Sequence, residues 1–228
     1  MTATDMTQLT ERPAMTRVLL TGFEPFDNST VNPSWEAVRL VGSAPPEGVS
    51  LTTAMVPVVF ADVIGRLREA IEESDPDVVI CVGEAGGRPD VTVERVAINV
   101  SDARIPDNSG GRPVDAPIVE GGPAAYFATL PVKACVAAVR DAGLPASVSQ
   151  TAGTFVCNHV FYGLMHLIAT ERPGLRGGFV HVPNLPEQVL SERAPSLPAR
   201  AVADALSAIV SAAVSTSVDL RVPDGSLH

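Results

Sequence analysis

Positive charge, cysteine and aromatic residues are all scarce in this chain. Sixteen Lys and Arg stand against 26 Asp and Glu, a net charge of −10, and the cations form no cluster. Nothing here suits a polyphosphate or an anionic lipid surface, so neither nucleic acid nor a membrane is an expected partner. No apolar run approaches the roughly 20 residues needed to span a bilayer. Residues 1–15 hold Asp5, Glu11 and Arg12 but no apolar segment, which argues against a secretion signal. They read as a disordered tail, or as an upstream start ahead of Met15. The three cysteines, Cys81, Cys135 and Cys157, include no C-x-x-C pair. An odd, scattered set speaks for reduced thiols in the cytoplasm and against disulfides or a zinc site.

What is present is apolar material in a regular order. Of 228 residues, 46% are hydrophobic and 18% charged, enough for one domain with a sizeable core. We expect that domain over 16–222, with a short tail at 223–228. Residues 17–22 read as a buried strand, and Asn32 followed by Pro33 as a helix start. A strand at 50–56 and an amphipathic helix at 60–73 follow. Residues 77–83 form an unbroken apolar strand, the kind covered on both faces. The region 84–123 is long, polar and rich in glycine; such a connection is usually functional or partly strand-forming. A helix at 131–142, a strand near 146–151, a second cysteine-bearing helix, a strand at 177–182 and a last helix at 198–215 complete the order. The pattern predicts an α/β fold, a three-layer αβα sandwich around a mostly parallel, mixed central sheet.

Residues 149–168 are the most informative stretch. Gly153 breaks the preceding strand, and Thr154 is the predicted helix N-cap. Val156, Val160, Leu164 and Ile168 then recur at helical spacing, with Phe161 and Leu167 widening the face. Cys157 falls in the first turn, where backbone N–H groups lack partners and the helix dipole is positive. A thiol there is expected to ionise more readily and to attack carbonyl carbon, with its own N–H receiving the oxyanion. A small buried hydrophobe is the alternative.

Sites in open α/β sheets lie beyond the carboxyl ends of the strands. Phe23 to Phe26, Gly83 to Glu94, Cys157 and His181 each follow or end a predicted strand, so all four segments are expected at one edge. Of the four histidines, His228 is terminal, His166 is mid-helix with no obvious partner, and His159 points away from Cys157. His181, in register with Phe179 and stopped by Pro183, is the candidate base. Glu94 is either a solvated carboxylate or the group that orients that imidazole. Two other readings stay open. One is a metal-dependent hydrolase with Glu94 and His181 as ligands; the other is a non-catalytic binder of small cyclic metabolites.

Several long segments carry a family resemblance. They are Thr-Gly-Phe-Glu-Pro-Phe (21–26), Asn-Pro-Ser-Trp-Glu (32–36), Gly-Glu-Ala-Gly-Gly-Arg (83–88), Glu-Arg-Val-Ala-Ile-Asn (94–99) and Asp-Ala-Arg-Ile-Pro-Asp-Asn (102–108). Thr-Ala-Gly-Thr-Phe-Val-Cys-Asn (151–158) and Gly-Gly-Phe-Val-His-Val-Pro (177–183) complete the set. In this order, over roughly 16–215, they resemble pyroglutamyl peptidase I, a family of cytosolic, metal-free cysteine peptidases. The resemblance implies removal of amino-terminal pyroglutamate from peptides, no cofactor, and a homotetramer. It implies Cys157 as nucleophile, His181 as general base and Glu94 as orienting acid. It places Phe23, Phe26, Glu84, Arg104, Ile105 and Val156 at the substrate, Arg104 beside the oxyanion or the pocket mouth. Three positions depart from the family pattern. Glu84 stands where relatives are neutral, His159 replaces an aliphatic residue, and Asn184 an aromatic one.

Overall fold

Alternation along the strands sorts the apolar residues into two cores, one on each face of a six-stranded sheet. In the computed structural model, which describes residues 15–225, the strands are β1 (Thr16–Phe23), β2 (Val49–Val56), β3 (Val78–Glu84), β4 (Val91–Glu94), β7 (Ala146–Ser149) and β8 (Arg176–Val182). They lie in the order β2-β1-β3-β8-β4-β7. A separate two-stranded ribbon pairs β5 (Val96–Ile98) with β6 (Ala125–Phe127). Val18, Leu20, Ile80, Val82, Val93 and Val180 point to one face, and Leu19, Phe23, Val79, Cys81 and Phe179 to the other. Helices α1 (Pro33–Ser43), α3 (Val132–Asp141) and α5 (Ala199–Ser215) cover the first face. Helices α2 (Val63–Ser74) and α4 (Val156–Thr170) cover the second. The expected three-layer sandwich around a mixed sheet is therefore the observed one. No helix among the described residues is long and apolar enough to cross a membrane.

Local chemistry explains the element ends. Asn32 caps α1 by accepting from Ser34 N at 3.0 Å, with Pro33 in the first turn as expected. Helix α2 begins at Val63 rather than at residue 60; residues 60–62 form a turn ahead of it, with the Phe60 N–H donating to the Asp107 carboxylate at 2.8 Å. The N-terminus of α3 is capped from the far end of the chain: Asp219 accepts from Lys133 N and Ala134 N at 3.1 and 2.9 Å. Asp224, in the expected C-terminal tail, reaches Arg140 at 3.3 Å. The N-terminal tail expected at 1–15 lies, but for Met15, outside the described residues. So does His228.

One expectation about direction is overturned. Strands β1, β2, β3 and β8 are parallel, but β4 pairs with β8 antiparallel and with β7 parallel. The carboxyl end of β7 therefore does not face the edge where β1, β3 and β8 end. Residues 150–155 carry the chain back, so that α4 starts at the common edge and runs down behind it. Cys157 reaches the site by this return and not by following a forward strand.

Candidate active site

Strand register brings an imidazole and a carboxylate together. His181 shares a sheet face with Phe179 and, across the ladders, with Gly83 on β3 and Thr92 on β4. Glu94 lies two residues beyond Thr92 and so projects to the same face. His181 Nδ1 stands 2.7 Å from Glu94 Oε1, and the two side chains are 4% and 0% exposed. The imidazole ring sits 4.8 Å from that of Phe179. With a carboxylate accepting at Nδ1, the hydrogen belongs on that nitrogen and Nε2 is left with its lone pair. Burial holds His181 below the usual imidazole range; Glu94 pulls the other way and Arg88 adds to the lowering.

The thiol approaches from α4. Thr154 is not the helix cap: its hydroxyl donates to Asp102 O at 2.8 Å, and Asp102 N donates back to Thr154 O at 2.9 Å. The hydroxyl is thus engaged by a neighbouring loop. Phe155 occupies the cap position in an extended conformation, with no side-chain cap bond. Gly153, at φ 77°, makes the left-handed turn that re-aims the chain. The first-turn N–H groups, that of Cys157 among them, are accordingly left without a capping side chain. Asn158 pins the turn, donating to Ile98 O and Val100 O and accepting from Ile98 N at 2.9 to 3.0 Å.

Cys157 Sγ lies over Gly83. A methyl at Gly83 would stand 2.9 Å from that sulfur and 2.8 Å from the Phe179 ring, so the missing side chain is what admits the thiol. Since Gly83 pairs with His181, thiol and imidazole sit on one face beside the same glycine. The surroundings of the thiol act against the lowering expected from the helix terminus alone. Burial first, then the charges of Glu94 and Glu84, push it up to about 12, and Arg88 only partly offsets them. These effects act against the favourable helix terminus.

A cavity of about 870 Å³ opens over the sulfur. Phe23, Phe26, Phe155 and Val156 form its apolar wall. Phe26 and Phe155 pack at 5.3 Å, and Phe60 supports Phe155 edge-on at 5.1 Å. Opposite stand Glu84 and Asn184, two of the departures from the family pattern, bonded to each other at 2.6 Å. Gln188 also donates to Glu84, at 3.0 Å. Burial raises the Glu84 carboxyl above the usual range, and the two amides partly counter it. Arg104 lines the cavity; Ile105, half-buried, is not among the lining residues. The third departure, His159, lies off the site: Nδ1 is 2.9 Å from Ser101 Oγ and the ring meets Phe60 edge-on. His166 does have a partner, Tyr126 Oη at 2.9 Å.

Sequence reasoning singled out neither Phe155 nor Arg88. Phe155 adjoins the Val156–Cys157 pair, and Arg88 ends a glycine-rich turn after a buried strand; position beside the site was the available signal. Glu94 and His181 bond to each other, and the Arg88 cation shares the same Glu94 oxygen at 2.7 Å. That arrangement suits orientation of an imidazole better than joint coordination of a metal.

Comparison with known proteins places the chain in a family. The family model described as pyroglutamyl peptidase matches residues 16–217. The pyrrolidone-carboxylate peptidase of Streptomyces coelicolor is 62% identical over 216 residues, covering 94% of this chain and 100% of that one. That of Klebsiella pneumoniae is 54% identical over 215 residues, with the same coverage. The crystal structure of pyroglutamyl peptidase I from Bacillus amyloliquefaciens superposes with a TM-score of 0.90 at 50% identity, over 91% of this chain and 99% of that one. Pyrrolidone carboxyl peptidase from Thermococcus litoralis gives 0.87 at 36% identity, over 92% and 100%. With a matched fold, near full-length identity and a thiol set over an imidazole–carboxylate pair, the chain belongs to the pyroglutamyl peptidase family.

Proposed function

We propose that the chain is a cysteine peptidase that releases an amino-terminal pyroglutamyl residue from peptides through a thioester on Cys157. The observation carrying this reading is the placement of Cys157 Sγ over Gly83, on the face of the His181–Glu94 pair and under an aromatic cavity. His181 Nε2 takes the Sγ proton as sulfur attacks the pyroglutamyl carbonyl carbon. The oxyanion is received by the uncapped Cys157 N–H, with Arg104 at the cavity wall adding positive charge. The tetrahedral intermediate then collapses: the C–N bond breaks, the imidazolium protonates the departing amine, and the thioester remains. Water, deprotonated by His181, adds to the thioester and restores the thiol as pyroglutamate leaves.

Selectivity follows from what the cavity does not solvate. Pyroglutamate carries no charged amine, so Phe23, Phe26, Phe155 and Val156 can enclose it without desolvating a cation. A prolyl group would bring that charge and would leave the partners of the lactam carbonyl unpaired, at about 1–3 kcal/mol per group. A dye-linked pyroglutamyl amide is therefore the substrate and its prolyl counterpart is not. Activity lost to iodoacetamide but kept in EDTA supports the reading. EDTA-sensitive turnover supports the metal hydrolase, and binding of pyroglutamate without turnover supports the non-catalytic binder. The family resemblance also favours a homotetramer, and the three free cysteines favour a reducing, cytoplasmic compartment.

The pH dependence has a definite sign. A base must be neutral to act, and His181 is held below the ordinary imidazole value of about 6.5. The acid limb of kcat/KM should therefore fall below pH 6.5, which a pH–rate profile on the pyroglutamyl amide measures. A limb at or above that value would contradict the assignment of His181 as the base.

A further inference from the structure

Arg88 touches every part of the acid side of the site and lies outside the three assigned roles. Its Nη1 donates to Glu94 Oε1 at 2.7 Å and to Thr92 Oγ1 at 2.6 Å, with Ser149 Oγ at 3.4 Å. Its Nη2 donates to Thr151 O at 2.9 Å. Glu94 Oε1 thus receives both Arg88 and His181 Nδ1, while Glu94 Oε2 is buried with no partner among the described residues. The carboxylate is oriented through one oxygen, from two sides. The Thr151 contact reaches the segment that returns the chain to α4, and Thr154, three residues on, precedes the turn bearing Cys157. One planar fork therefore links the ends of β4 and β7 with the start of the cysteine turn. An ammonium, a point charge without fixed directions, cannot satisfy that geometry.

We infer that Arg88 is a positioning residue: it orients Glu94 toward His181 and ties the acid strand to the chain that delivers the nucleophile. The inference rests on the proposed triad, with Arg88 acting through Glu94 and not on substrate. The charged and titratable groups around the centre are Glu94 on β4, His181 on β8, Cys157 on α4, Cys81 and Glu84 on β3, Arg104 at the cavity wall, and Arg88 itself. Loss of the Arg88 guanidinium removes a cation that favours the thiolate.

The test compares Arg88→Met, which removes charge and fork, with Arg88→Lys, which keeps charge alone. On the pyroglutamyl amide, Arg88→Met should lower kcat by about 10- to 100-fold with KM changed less than about threefold, since the substrate contacts remain. Arg88→Lys should fall between it and the parent. Alkylation of Cys157 by iodoacetamide should shift to higher pH in Arg88→Met and return toward the parent profile in Arg88→Lys. Thermal unfolding identifies a loss of fold. Arg88→Met with parental kcat overturns the inference. So does an unshifted alkylation profile in folded protein, which would mark the contact as merely structural. Alkylation needs no turnover, so a parent protein inactive on the amide would sink the functional reading and leave Arg88 to be decided by thiol reactivity.

Discussion

Replacing Cys157 with serine should reduce kcat/KM on a pyroglutamyl amide by at least about 10⁴, which leaves only the slow catalysis that binding and oxyanion contacts supply. Sulfur attacks because it is polarizable and because His181 can take its proton. A serine hydroxyl is a far weaker acid in a place where burial and the charges of Glu94 and Glu84 already oppose ionisation. The substitution keeps the volume roughly constant, and the glycine beneath the side chain leaves room for it. The fold should survive: circular dichroism and the unfolding midpoint are expected to match the parent. Ligand binding should survive too, so calorimetric titration with pyroglutamate ought to give a similar affinity. Full turnover by this variant would remove the thioester from the mechanism.

The second large effect is expected from Glu94→Gln. The amide matches the carboxylate in shape but can present N–H where Nδ1 needs an acceptor, and the tautomer that frees Nε2 is no longer favoured. In serine-peptidase triads the corresponding exchange costs about 10⁴ in kcat; a loss of about 10² to 10⁴ is expected here, with KM little changed. Stability should fall as well. Glu94 is wholly buried, and its bonds from Arg88 and His181 lose the acceptor's charge while the Arg88 cation keeps its own, at a cost of about 1–3 kcal/mol. Steady-state kinetics and thermal unfolding read the two effects separately. A variant with parental kcat would reduce Glu94 to a structural ion-pair partner.

The order of elements was legible in the chain because each one announces itself locally. The Asn32–Pro33 start, the unbroken apolar run of β3 and the helical spacing after Cys157 are all short-range patterns. The site residues were legible for a different reason, since several long motifs recurred in the order of a family. Strand direction was not. The four residues of β4 sit in a polar, glycine-rich stretch, and nothing within them says which way they run; pairing with β8 and β7 decides it. Thr154 misled because donation to Asp102 O fixes where its hydroxyl points and the helix starts one residue later, and only the approach of residue 102 determines that. The thiol misled likewise. Helix position is a local property, whereas burial and the charges of Glu84 and Glu94 arrive from distant strands.

The two short strands that oppose the others make the chemistry more sensitive to chain length than the architecture is. Side chains alternate along β4, so Val91 and Val93 enter one core while Thr92 and Glu94 turn to the opposite side. Adding or deleting a single residue between Arg88 and Glu94 would exchange the two sets while the larger parallel ladder stayed intact. The acid would then be aimed away from the imidazole and into the apolar core, so activity would be lost and the thermal unfolding midpoint would fall with it.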